Sequence, residues 1–277
     1  MTDNIKITGL DNLPIINNPE DLLNIEETHR RIAAKVADQL TIDSIKHVSK
    51  EIDCVHYSLA GIAELTRIIG NYQLSYHQHL NAYKLFYKFK DYRGIVWAFE
   101  GIAQILKNTG YIEKATSLFA ESIKISKSIS DYRGLGYALK CFGECLVIKG
   151  NLKDGMYYLN EAESVFRRIQ HNTGLAYTLK AMGDTLRDFY MMDEATILYQ
   201  KAESIFLKIK EERGLAYVET GRGIMELRKG DVNLAILYFQ NSLRVFREKR
   251  IKFGINLIKR SLSTSSYSKD LSNYIFF

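Results

Sequence analysis

Apolar residues return every three or four positions in long runs, and the runs themselves return every 40 residues. Over 92–108 the apolar side consists of Ile95, Phe99, Ile102, Ala103 and Leu106. Over 112–129 it consists of Ala115, Leu118, Phe119 and Ile123, with Ser122 among them. That spacing lines residues along one face of a helix. Gly110 separates the two runs, and Gly70, Gly150 and Gly230 hold the same place in other units. Glycine suits the left-handed residue that ends a helix and lets the chain turn back. Each unit therefore predicts a helical hairpin.

The joints between units repeat as well. Asp91-Tyr92-Arg93-Gly94 returns as Asp131-Tyr132-Arg133-Gly134, then as His171-Asn172-Thr173-Gly174 and Glu211-Glu212-Arg213-Gly214, with Gly254 one period later. Asp91 and Asp131 stand where a side chain caps the next helix. Glycine is unfavourable inside a helix, so the Gly94 column predicts a close approach to the preceding helix. Small residues recur in three further columns. These are Ala63, Ala103, Gly143, Gly183, Gly223; then Ser75, Ala115, Gly155, Ala195, Ala235; then Ala82, Ser122, Ala162, Ala202, Ser242. Phe119, Leu159, Tyr199 and Phe239 lie between them. Small facing large at fixed offsets is ridge-into-groove helix packing.

This order of small, small, aromatic and small residues across a hairpin resembles the tetratricopeptide repeat (TPR). The 40-residue period is similar to its long-helix subclass. The resemblance covers 51–254, with units at 51–90, 91–130, 131–170, 171–210 and 211–250. The family's proline near the end of the second helix is absent, and in the first unit Cys54 and His79 replace the boundary glycine and the aromatic. The resemblance implies an all-α fold: a right-handed superhelix, or α-solenoid, of TPR-like helical hairpins with terminal capping helices. Residues 1–19 read as an extended arm, and 20–50 as a capping helix or hairpin that starts at Asn18-Pro19-Glu20-Asp21. Residues 255–277 read as a C-terminal cap and tail, whose closing Tyr274-Ile275-Phe276-Phe277 is expected to cover the last helix pair.

Composition narrows the function class. The only prolines are Pro14 and Pro19, which fits long uninterrupted helices. The net charge is +6, but Lys and Arg are interleaved with Asp and Glu, which argues against a nucleic-acid footprint. Helical repeats that read RNA bases also need a polar pair at constant positions in every unit, and none recurs here. Cys54, Cys141 and Cys145 form no disulfide pattern, which points to a reducing, cytoplasmic setting. No signal peptide and no membrane-spanning run is expected. His77 and His79 diverge on a helix, and Cys141 with Cys145 reads as a buried apolar pair, so no metal is expected. Motifs for phosphate loops, zinc proteases and nucleophile elbows are missing, so neither enzyme nor cofactor is expected.

The resemblance places the first helix of each unit on a concave binding face. Transferred to this sequence, that face carries an aromatic ladder of Tyr57, Trp97, Tyr137, Tyr177 and Tyr217. Such rings serve equally as partner anchors or as packing between first helices. Beside them lie Glu64, Gln104, Glu144 and Asp184, the lysines Lys140 and Lys180, and Arg187. The pairs Lys140–Glu144 and Lys180–Asp184 are spaced to bond each other. A small column of Gly61, Gly101, Cys141, Ala181 and Gly221 is expected to leave a floor for a peptide backbone. No asparagine column matches the TPR class that grips a C-terminal carboxylate. The reading is an adaptor or scaffold for a protein or peptide segment, with self-association left open. The rivals are a peptide-sensing regulator whose curvature changes on binding, and a non-standard enzyme or accessory subunit using the groove as a pocket.

Overall fold

The computed structural model describes residues 55–264, with side chains described from residue 60. The expected arm over 1–19, the cap over 20–50, Cys54, the side chain of Tyr57 and the tail Tyr274–Phe277 lie outside the described residues. Among the described residues the chain is all-helical. In order the helices are α1 (Val55–Ile68), α2 (Tyr72–Lys88), α3 (Tyr92–Asn108), α4 (Ile112–Ser128), α5 (Tyr132–Ile148) and α6 (Leu152–Arg168). They continue as α7 (Asn172–Asp188), α8 (Met192–Ile209), α9 (Glu212–Lys229), α10 (Val232–Glu248) and α11 (Lys252–Ser263).

The turns repeat more finely than the hairpins. Left-handed residues fall at Gly70, Lys90, Gly110, Ser130, Gly150, Gln170, Tyr190, Lys210, Gly230 and Arg250. Each turn closes in the same way. The left-handed residue's N–H donates three residues back, as from Gly110 to Lys107, and the next N–H donates five back, as from Tyr111 to Leu106. Those two bonds satisfy carbonyls that the helix end leaves orphaned. Side chains then start the next helix. Asp91 and Asp131 accept from Gly94 N and Gly134 N at 3.1 and 3.2 Å. His171 does the same through Nδ1 to Gly174 N at 2.9 Å.

The Gly94 column acts as its position predicts. A Cβ on Gly94, Gly174, Gly214 or Gly254 would lie 2.1–2.5 Å from the ring of Phe86, Phe166, Phe206 or Phe246 respectively. All four rings are fully buried. The missing methyl is what lets α3, α7, α9 and α11 close onto the phenylalanine of the helix before them; Gly134 departs from this, since Ser126 stands in the phenylalanine's place and the nearest side chains are Asp131 and Val96.

The chain divides into two compact units, Met1–Gly134 and Leu135–Phe277. The core of the first gathers Ala60, Ala82, Tyr83, Phe86, Ile95, Phe99 and Ile125. The core of the second gathers Phe166, Leu175, Leu179, Tyr199, Phe206, Val218 and Met225. Within the units first helices touch one another, α1 with α3, α7 with α9, and α9 with α11. Among the described residues no helix is long and apolar enough to cross a membrane.

Candidate functional site

The ladder residues Trp97, Tyr137, Tyr177 and Tyr217 are all half-buried. The tyrosines share one geometry. Each ring meets the buried phenylalanine of its own hairpin: Tyr137 on Phe166 at 5.0 Å, Tyr177 on Phe206 at 4.9 Å, and Tyr217 on Phe246 at 4.9 Å between centroids. Trp97 packs against the core of the first unit. One side of every ring is therefore held by the core while the rest reaches the surface, which gives large contact area at little cost in freedom. Tyr177 is further pinned from α9, because Arg213 Nε donates to its hydroxyl at 2.8 Å and the guanidinium covers the ring at 5.5 Å. Burial pushes its phenol well above the ordinary tyrosine range, so it stays protonated.

The charged residues beside the ladder pair with one another. Lys140 Nζ lies 3.2 Å from Glu144, and Lys180 Nζ lies 2.5 Å from Asp184 Oδ2. Lys180 also sits 5.1 Å over the ring of Tyr217, on the next first helix. Burial opposes the charge on Lys140, but Cys141 and Glu144 beside it hold its pKa above the usual lysine value. In α1, Glu64 is bonded to Arg67, whose Nε donates at 2.8 Å. Gln104 is half-buried on α3.

Asp184 has the densest surroundings. Its Oδ1 accepts from Arg187 Nη1 at 2.8 Å and from the Tyr199 hydroxyl at 2.7 Å. Burial alone would raise the pKa of this carboxyl. Lys180, Arg187 and the Tyr199 hydroxyl outweigh it and hold the pKa below the ordinary value. Arg187 is buried and continues the network to Asp188, which also binds Arg228 of α9 at 2.9 Å. In the sequence Tyr199 reads only as a packing residue in the column of Phe119, Leu159 and Phe239, and Arg228 is not singled out, because neither lies on the ladder columns.

The small column departs from expectation. Gly61, Gly101, Cys141, Ala181 and Gly221 are buried and do not form an open floor. A Cβ on Gly101 would lie 2.2 Å from the His79 ring, and one on Gly221 would lie 2.5 Å from the Tyr199 hydroxyl. At Gly101 and Gly221 the second helix of the preceding hairpin reaches across and fills the space that the glycine opens. Cys141 and Cys145 are both buried, and among the described residues no group of three or more His, Cys, Asp or Glu side chains could hold a metal ion.

No family model and no curated protein matches the chain. Solved structures do. A crystal structure of a Rap protein complexed with competence and sporulation factor has a TM-score of 0.69 at 16% identity, covering 89% of this chain and 68% of that one. The apo form of RapI has a TM-score of 0.57 at 17% identity, covering 90% of this chain and 99% of that one. BtubC from P. vanneervenii has a TM-score of 0.50 at 15% identity, covering 83% and 92%. At these identities the likeness is one of fold. Together with the consecutive packed hairpins it gives the described residues an all-helical, TPR-like repeat fold.

Proposed function

We propose that this chain is a protein–protein interaction adaptor of the long-helix, 40-residue TPR type, binding a peptide or protein segment along the first-helix face. The observation that carries this is the set of half-buried tyrosines, each seated on a buried phenylalanine and flanked by paired charges. Rings held on one side and presented on the other are ready-made anchors, and no side chain must be ordered on binding. Acid and lysine already neutralise each other on this face, which favours recognition over proton transfer. The site comprises Trp97, Tyr137, Tyr177 and Tyr217 with Glu64, Gln104, Lys140, Glu144, Lys180, Asp184 and Arg187, and Tyr57 by its place in the repeat.

A second reading, a regulator that senses a peptide, is favoured by the likeness to a Rap protein solved with a bound factor. A displayed peptide library, selected on the wild-type chain and on Tyr137→Leu/Tyr177→Leu, tests the shared premise. Leucine keeps an apolar contact to Phe166 and Phe206. Peptides enriched on the wild type and lost on the double variant, with the helical melt retained, are the expected result. Equal enrichment on both proteins removes the ladder as the site. A bound peptide that also alters hydrogen exchange far from the ladder favours the regulator over the passive adaptor.

A further inference from the structure

The net charge of +6 is not spread along the chain. Residues 1–231 hold 30 basic and 30 acidic side chains, whereas 232–277 hold eight and two. The interleaving that argues against a nucleic-acid footprint therefore holds over the first stretch and fails over the second. Seven of the eight bases lie between Arg244 and Arg260, with Glu248 the single acid among them. Arg244 pairs with Glu248 at 3.6 Å, and Lys249 with Glu212 at 2.8 Å. Arg247, Arg250, Lys252 and Arg260 are exposed. The first three crowd one tight turn: Arg247 in the last turn of α10, Arg250 at the left-handed apex, and Lys252 first in α11. Arg260 lies about two turns farther along α11.

α11 adds a ring to this charge. Its exposed residues are Lys252, Phe253, Asn256, Lys259, Arg260 and Ser263, with no acid among them. Phe253, Asn256 and Arg260 recur at helical spacing, so an aromatic ring, an amide and a guanidinium stand in one row about 10 Å long. The column of Phe253 holds Arg93, Arg133, Thr173 and Arg213 in the other units. Arg213 covers the ring of Tyr177. Phe253 leans on Tyr217 from the same position, with centroids 6.4 Å apart, yet stays 37% exposed. A ring among cations fits a strand that offers phosphates and flat, unpaired bases together. An acidic polypeptide would use the cations and leave the ring without a role. We propose that the α10–α11 joint binds single-stranded nucleic acid, with Arg247, Arg250, Lys252 and Arg260 holding phosphates and Phe253, braced by Tyr217, stacking a base. This site uses none of the ladder's ion pairs and stands or falls separately from the peptide-binding reading.

Fluorescence anisotropy of a labelled oligodeoxythymidylate of about 12 nucleotides, titrated with the full-length chain over a range of salt, tests this. Binding is expected, with log affinity falling against log salt at a slope of about −3, the value for four phosphate contacts on a single strand. Arg247→Gln/Arg250→Gln/Lys252→Gln/Arg260→Gln is expected to abolish it. Phe253→Leu is expected to weaken it by about tenfold and leave the salt slope unchanged. Tyr137→Leu/Tyr177→Leu is expected to bind the strand like the wild type, which separates this site from the ladder. No binding at low salt by the folded chain overturns the proposal, and so does unchanged affinity in either the four-cation variant or Phe253→Leu. Binding of polyglutamate, or of vesicles rich in anionic lipid, at least as tightly as the oligonucleotide also overturns it, since the face then reads charge alone. If a variant loses its helical melt, the wild-type preference for the oligonucleotide over polyglutamate decides.

Discussion

At the scale of single residues, His79 places an acid-sensitive point in the first unit. Its pKa is lowered from 6.5 to about 4 by burial, with Glu64 opposing and Arg67 adding to the effect. The unfolded chain therefore binds the proton first as pH falls. Stability is complete above about 6.5 and declines as pH drops towards 4, by up to about 3 kcal/mol. His79→Phe should flatten that decline in a pH series of denaturant melts, whereas an unaltered slope would assign it to other groups. A second effect lies in the backbone. Lys210 holds a left-handed conformation, φ 56°, that costs a residue with a Cβ about 1 kcal/mol. Lys210→Gly should raise stability by roughly that amount. Tyr190→Gly should gain less, because the ring that would be lost carries the Arg228 guanidinium at 5.3 Å. Paired chemical denaturation of the two variants separates these outcomes.

At the scale of elements, the hinge between a second helix and the next first helix is the most sensitive contact. Phe206 touches both Gly214 and the ring of Tyr177, so Phe206→Ala removes core packing and the seat of a ladder ring together. A loss of about 3–5 kcal/mol is expected, read as a lower midpoint in urea. Much of this level was legible in the sequence. The glycine turns, the Asp91 and Asp131 caps and the Gly94 column each follow from what one residue type permits, and each is where its spacing placed it. Lys90, Ser130, Gln170, Lys210 and Arg250 carry no such signal, because packing of the hairpins imposes a left-handed turn on residues that do not favour it. The small column was misread for a related reason. Sequence shows that Gly101 and Gly221 are small, but not that a ring from a different helix occupies the space. The half-burial of the ladder was equally hidden, since it depends on phenylalanines 29 positions along the chain.

At the scale of the whole molecule, stability in a stacked array is a sum of local terms, so the two units need not unfold together. Trp97 is the only tryptophan and packs in the core of the first unit. Its fluorescence reports that unit alone, whereas far-ultraviolet circular dichroism reports all helices. The two midpoints in guanidinium are expected to differ, and to diverge further at pH 5, where His79 weakens only the first unit. Coincident midpoints at both pH values would mean that the chain unfolds as one cooperative body.

The alternation of turns also makes the two rims of each unit chemically unlike. Helices in a hairpin run in opposite directions, so turns that follow first helices gather on one rim and turns that follow second helices on the other. The first rim has glycine at its apices, apart from Tyr190; the second has Lys90 and Ser130 in one unit and Gln170, Lys210 and Arg250 in the other. The glycine apices of one rim leave Tyr111, Phe189, Tyr190 and Met191 as exposed rings and apolar chains beside them, whereas the apices of the other carry polar side chains, three of them cationic. An anionic matrix would meet Lys90 in the first unit and Lys210 and Arg250 in the second at the apices of the polar rim, while an amine-reactive surface would also find Lys149 and Lys229 beside the glycine apices of the other.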